Sequence, residues 1–282
     1  MTSLREKMKQ EMTLRGLCEG TQAQYLRSVI QLYNHYSRSP AKLNETEVKN
    51  YLLHLLSNAS YAASTYNVMV HGLKFFYEFV LNRPVLANIP RIKGSQKLPD
   101  ILSPSEVEQI IKAARNLKYR TILILIYGAG LRASEAAKLR VKDIDSTRGL
   151  LHIREGKGNK DRYVSLSPRM LNTLRFYWKN GRVNAPSGGE SDFIFWGQSG
   201  EPLSGASIGA MYKQSKKAAG ITKQGGVHAL RHAYATHALE AGADLFSVKE
   251  ALGHSSITST VRYLRMTDKL RTIQSPIEQL DL

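Results

Sequence analysis

Residues 227–254 read VHALRHAYATHALEAGADLFSVKEALGH and hold four of the eight histidines in the chain. His228 and Arg231 are three residues apart, so a helix sets both on one face. Ala235, Ala238 and Leu239 supply an apolar stripe, and Gly242 is a natural helix stop. A second helix spans Leu245 to Leu252 and delivers the chain to Gly253-His254. Tyr263 follows nine residues later, beside Arg262.

Three kinds of site fit this stretch. His228 and His232 have the i, i+4 spacing of a helical zinc pair. No glutamate occupies the HExxH position, however, and Arg231 sets a fixed cation against any metal. The two helices also suit a helix-turn-helix that only reads DNA. Phosphoryl transfer accounts for more of the residues. A phosphodiester under attack gains charge on its non-bridging oxygens, and guanidinium groups neutralise that charge with paired donors. Arg231 is one such group. Arg132 is the second, leaving an apolar segment in Gly130-Leu131-Arg132. Tyr263 is the candidate nucleophile. Its phenol has an ordinary pKa of about 10, so it needs cations to stabilise the phenolate and a base, such as a histidine, to take the proton. The leaving sugar oxygen needs an acid, and a lysine on a turn, such as Lys157, can supply it.

Working outward, Ser103-Pro104-Ser105-Glu106 is a capping box with proline at the first helical position. An apolar helix follows over Thr121 to Tyr127, then a short helix after Arg132 through Glu135 and Lys138. Residues 149–166 switch to strand character: Leu151 to Arg154 and Tyr163 to Leu166 flank the turn Gly156-Lys157-Gly158-Asn159-Lys160. From Ser204 on, the pattern is helical. Upstream, residues 1 to about 82 read as a small helical bundle. Its stripes are Tyr25, Val29, Leu32, Tyr36; Val48, Leu52, Leu55; and Tyr66, Val70, Leu73, Tyr77, Val80. A weaker helix precedes Gly16, Asn44 or Thr46 caps the second stripe, and Gly20-Thr21 and Ser57-Asn58 read as breaks. Residues 83–103 carry Pro84, Pro90 and Pro99 with Arg83, Arg91, Lys93 and Lys97, a basic linker. The loop 180–189 reads as mobile.

The chain has 282 residues, which favours two domains. It carries 40 Lys+Arg against 23 Asp+Glu, a net charge of +17. Such an excess suits a polyanion, because each neutralised phosphate releases counterions. An acidic protein or lipid is the other class of partner. The single cysteine, Cys18, excludes an intrachain disulfide and a cysteine-based zinc site. The N-terminus lacks a signal-peptide pattern, and the longest apolar stretch, 121–131, is too short to span a bilayer. These features predict a cytoplasmic protein working beside DNA, with no membrane association.

The motifs GAGLRASEA, GKGNK, HALRHAYATH, LGHSSITST and VRYLR resemble, in order and spacing, those of the tyrosine recombinases, the lambda-integrase family, and especially its compact bacterial integrases and recombinases. The resemblance implies a mainly α fold with a small antiparallel β-sheet. It implies a helical-bundle, SAM-like core-binding domain over 1–90, a linker over 91–101, and a mixed α/β catalytic domain over 102–282. It matches Arg132 and Arg231 to the phosphate clamp, Glu135 to the acidic residue supporting the first arginine, and Lys157 to the general acid. It matches His228 to the histidine that assists proton transfer, His254 to a phosphate hydrogen-bonder and Tyr263 to the nucleophile. The family often has a histidine two residues after the tyrosine, where this chain has Arg265.

The implied activity is site-specific recombination of double-stranded DNA through a 3′-phosphotyrosine, without metal, ATP or any cofactor, by a tetramer often carried on mobile elements. The tail beginning Ser275-Pro276-Ile277-Glu278, with Leu280 and Leu282, is expected to pack into a neighbouring protomer. A type IB topoisomerase and a non-catalytic DNA-binding regulator are the alternative functions. Simpler readings attach to several residues. Lys157 shares its turn with Lys160, and either can be merely solvated. His232 and His237 read as packing or hydrogen-bonding residues, and Ser134 as a packing residue of the turn after Arg132. Asp143 and Asp145 lack partner carboxylates for two-metal chemistry.

Overall fold

The computed structural model describes residues 3–57, 61–83, 89, 91–94, 100–154, 161–181, 193–197, 201, 203–264 and 266–267. The chain divides into two compact units, 1–97 and 98–282.

The first unit is helical throughout its described elements: α1 (Leu4–Leu14), α2 (Glu19–Tyr36), α3 (Glu45–Ser57) and α4 (Ala63–Phe75), the last continued by a π-helical turn over Phe76–Val80. The helix begins are set locally. Ser3 and Glu6 form a reciprocal capping box at α1. Asn44 and Glu47 exchange backbone-to-side-chain bonds of 2.9 and 2.8 Å at α3, which makes Asn44 the cap there. The break read at Gly20-Thr21 instead lies within the first turn of α2, which starts at Glu19. The apolar stripes converge on one core of Met8, Met12, Leu32, Val48, Leu52, Leu55, Tyr66, Val70, Leu73 and Tyr77. α2 and α4 touch most closely at Gly72, where a Cβ would come within 2.9 Å of Ser28 Oγ.

The second unit packs eight helices around a three-stranded antiparallel sheet, counted among the described residues. Its helices are α5 (Pro104–Ala113), α6 (Leu117–Gly128), α7 (Ala133–Ala137), α8 (Pro168–Asn180), α9 (Gly205–Ala218), α10 (His228–Glu240), α11 (Leu245–Leu252) and α12 (Thr258–Leu264). The strands are β1 (Ile144–Asp145), β2 (Leu150–Ile153) and β3 (Arg162–Ser165), in that order across the sheet. The β2–β3 hairpin pairs Leu151 with Val164 and His152 with Tyr163, so Leu151, Ile153 and Val164 face the core. α6 is buried at Thr121, Ile122, Leu123, Leu125 and Ile126, more than half of a helical circumference, as befits a central helix. It forms one cluster with the sheet, α5, α8 and α9. Ser103 and Glu106 cap α5 reciprocally, with Pro104 in the first turn. A smaller cluster of Ala235, Leu239, Val248, Leu252 and Tyr263 joins α10, α11 and α12.

Two glycines draw these parts together. Gly130, at φ +63°, ends the turn after α6, and a Cβ there would lie 2.5 Å from the Tyr234 ring and 3.1 Å from Leu252. Gly253, at φ +60°, ends α11 in the left-handed conformation, and a Cβ there would lie 3.0 Å from Arg162 Cδ. The segment carrying Arg132 therefore runs against α10 and α11, and β3 lies against the end of α11. Among the described residues no helix is long and apolar enough to cross a membrane.

Candidate active site

Arg132 is the N-cap of α7, and its backbone N–H donates to Glu135 Oε2 at 2.8 Å while its Nη1 donates to Oε1 at 2.6 Å. The same carboxylate receives a second guanidinium from β3: Arg162 Nη1 donates to Oε1 at 2.9 Å and Nη2 to Oε2 at 2.7 Å. Arg162 Nε donates to the Ala251 carbonyl at 2.8 Å, tying β3 to α11. Arg231, on α10, approaches Glu135 at 3.8 Å. It donates Nη1 to Gly130 O at 2.6 Å and Nη2 to Leu252 O. One carboxylate thus sits among three guanidiniums drawn from α7, β3 and α10.

Burial opposes the charge on Glu135, but its bonds to Arg162 and Arg132 overcome that cost and hold the carboxyl down to about 2. Burial and then repulsion by Arg132 lower Arg231 to about 10, and it stays a cation at neutral pH. Arg231 is 1% exposed, and its Nε meets no acceptor among the described residues.

Tyr263 closes the other side. α12 places its ring 2% exposed, and its hydroxyl is hydrogen-bonded to His232 Nδ1 at 2.8 Å. Burial raises the phenol above its ordinary value, opposed by Arg231, Arg262 and Arg132. His232 is pushed down to about 4 by burial and then by His228 and the arginines. The imidazole is therefore neutral, and its Nε2-protonated tautomer accepts the phenol O–H at Nδ1. His254 lies nearly parallel to the Tyr263 ring at 6.3 Å, is hydrogen-bonded through Nδ1 to Thr260 Oγ1 at 2.8 Å, and is likewise lowered to about 4 by burial and by Arg231. His228 meets His232 edge to face at 5.1 Å. Protein atoms around its ring, then Arg231 and Arg132, lower its pKa, although the residue as a whole is exposed.

The structure brings Arg132, Glu135, His228, Arg231, His254 and Tyr263 into one neighbourhood. Lys157, Arg265 and the tail 275–282 lie outside the described residues. One residue of this neighbourhood, Arg162, escaped the sequence reading. Arg162 follows the lysine-bearing sequence 156–160, and alternation along β3 does not distinguish it from a solvated cation. His232 was read as a packing or hydrogen-bonding residue, and its partner proves to be the Tyr263 phenol. His237, Asp143 and Asp145, which also had simpler readings, have structural partners. His237 Nδ1 bonds the Tyr127 hydroxyl at 2.9 Å. Asp143 receives Arg154 Nε at 2.5 Å and the Arg140 backbone N–H at 2.9 Å, while Asp145 caps the turn at Thr147 and Arg148.

Comparison with known proteins agrees over most of the chain. The Phage integrase family matches residues 100–269, and the Phage integrase N-terminal SAM-like domain matches residues 4–86. An integrase/recombinase of Escherichia coli is 33% identical, with 87% of this chain and 84% of that protein covered. The tyrosine recombinase XerD of Oceanobacillus iheyensis is 31% identical over 90% of each. In fold, the chain is similar to XerH site-specific recombinase, solved on a palindromic difH substrate after cleavage, with a TM-score of 0.72 at 23% identity over 97% of this chain and 85% of that one. It is also similar to the Tn1549 transposon integrase bound to a circular intermediate DNA, with a TM-score of 0.72 at 19% identity over 93% and 95%. The chain belongs to the phage integrase family and is a tyrosine-type site-specific DNA recombinase.

Proposed function

We propose that this recombinase cuts and rejoins double-stranded DNA through a covalent 3′-phosphotyrosine on Tyr263. The observation that carries this reading is the convergence of Arg132 and Arg231 about Glu135, with the Tyr263 phenol held beside them. Glu135 takes up part of the positive charge and fixes the edge of Arg132. The remaining donors of the two guanidiniums bind the non-bridging oxygens of the scissile phosphate and gain strength as charge develops there. The Tyr263 oxygen attacks phosphorus, and the 5′-oxygen leaves with a proton from Lys157, which lies between β2 and β3 in the sequence. His254 donates a further hydrogen bond to the phosphate. Attack on the phosphotyrosine by the 5′-hydroxyl of a partner strand restores the phosphodiester. The ester linkage conserves bond energy, so ATP is not consumed. The guanidiniums do the charge neutralisation that a metal ion would otherwise do.

Exchange joins two sites, so the working unit on DNA is a tetramer, with the tail 275–282 of each protomer packed on its neighbour. The net charge of +17 suits duplex DNA as the partner. We place the protein in the cytoplasm and in service of a mobile element. The test is incubation with a nicked suicide DNA carrying the recombination site, in EDTA. A covalent adduct that disappears in Tyr263→Phe is the expected result. No adduct with the wild type, or an adduct with Tyr263→Phe, overturns the mechanism.

A further inference from the structure

We propose that His232, rather than His228 of the H-x-x-R pair, receives the proton of the Tyr263 phenol when the tyrosine attacks. This inference rests on the phosphotyrosine reading above. Its ground is geometric. His232 Nδ1 stands 2.8 Å from the Tyr263 hydroxyl, within the range for direct proton transfer. His228 makes a ring contact with His232, and no hydrogen bond from it reaches the phenol among the described residues. Both His232 and Tyr263 are fixed by packing. His232 lies on α10 one residue beyond Arg231, and Tyr263 is buried in the cluster of α10, α11 and α12.

The surroundings explain how substrate switches the pair on. Burial first, then His228, Arg231 and Arg262, keep His232 neutral, and in the Nε2-protonated tautomer its Nδ1 lone pair is free to accept. Burial raises the Tyr263 phenol above its ordinary value, and the same two arginines with Arg132 oppose that rise. A phosphodiester seated on Arg132 and Arg231 brings a negative charge that offsets the cations. It raises the basicity of His232 just where the phenol must give up its proton.

The Tyr263 O–H bond breaks and its proton passes to His232 Nδ1, forming imidazolium. The freed electron pair of the phenol oxygen forms the O–P bond. The P–O5′ bond breaks, and its pair leaves on the 5′-oxygen, which takes a proton from the general acid. In the rejoining step His232 returns its proton to the departing phenolate.

The experiment measures single-turnover adduct formation on the suicide DNA with the wild type, His232→Asn and His228→Asn. An asparagine side chain puts an acceptor oxygen near the place of Nδ1 but cannot take a proton at neutral pH. We expect His232→Asn to slow adduct formation by about 100-fold or more, the usual span of a lost general base, with DNA affinity unchanged in a gel-shift titration. His228→Asn should be less impaired on the phenol side. A substrate with sulfur in the 5′-bridging position has a leaving group that needs no proton. The His232→Asn defect should persist on it, whereas a defect in the leaving-group acid should vanish. Fluorinated tyrosine at position 263 ionises more easily, so it should narrow the gap between wild type and His232→Asn. This comparison stays informative if the variant is less stable.

A wild-type rate for His232→Asn overturns the proposal, as does a defect abolished by the sulfur substrate or a gap unmoved by fluorination. Absence of any wild-type adduct instead overturns the phosphotyrosine reading, so the two failures are distinct.

Discussion

Among the described residues, Glu135 is the one paired with the greatest number of charges. Its carboxylate is 5% exposed in its side chain and pairs with Arg132 and Arg162, with Arg231 at 3.8 Å. Glu135→Gln leaves three crowded guanidiniums without their shared counter-charge. We expect it to lower stability by about 3 to 5 kcal/mol, as for breaking a buried pair, measured as the shift of the urea unfolding midpoint. The pH dependence has a definite sign. Glu135 is held down from an ordinary value near 4.5 to about 2, so its contribution, about 3 kcal/mol, is complete above 4.5 and is lost as pH falls toward 2. His232 and His254 are each lowered from 6.5 to about 4, so the folded state resists their protonation. Their contribution is present above 6.5 and declines as pH falls toward 4. Thermal melts should therefore show the melting temperature falling from pH 6.5 downward in two successive stages. His254→Asn should flatten the upper stage; an unchanged profile would contradict this assignment.

At the scale of elements, the site depends on turns that bring distant segments into contact. Gly130→Ala imposes a left-handed conformation on a residue with a Cβ and drives that atom toward the Tyr234 ring and Leu252. We expect a loss of about 1 to 3 kcal/mol for the strain alone. Adduct formation should fall further, because Arg132 is displaced against α10 and α11. Equal stability and activity in the variant would show that the turn relaxes freely.

Much of the element layout was legible from local chemistry. The Ser103–Glu106 capping box, the hairpin strands and the glycine stop at Gly242 are decided within a few residues. α8 was passed over. Its Met170, Leu174 and Tyr177 are buried at helical spacing, but exposed Phe176 and Trp178 blur the stripe. β1, two residues long, exists only by pairing with β2 and left no pattern to read. The π turn at Phe76–Val80 continues the third stripe with a register that period-3.6 counting does not anticipate. At the site, residues in ordered motifs could be named. The bonds Arg162–Glu135 and His232–Tyr263 join residues 27 and 31 positions apart, and only tertiary folding reveals them.

For the whole molecule, the charge of +17 bears on affinity more than on fold. If the protein neutralises several phosphates of duplex DNA, binding should weaken by about a thousandfold between about 50 and 200 mM salt. Fluorescence anisotropy with a labelled duplex measures the slope, and a flat response would argue against a phosphate-dominated interface. The two units carry separate apolar cores, one centred on α2 and α4 and one on α6 and the sheet. A fragment of residues 98–282 is therefore expected to melt cooperatively without the first unit, which calorimetry can check.

The seclusion of Tyr263 also governs its reactivity toward small reagents. At 2% exposure, against 50% for Tyr33 and 58% for Tyr163, it is walled off while the protein is without DNA. Tetranitromethane should nitrate those two surface rings and spare Tyr263. Peptide mapping after nitration with and without cognate duplex would then report when the Tyr263 ring is uncovered. With Tyr263 as the proposed nucleophile, a ring sheathed in this way lets the protein drift along DNA without nicking it.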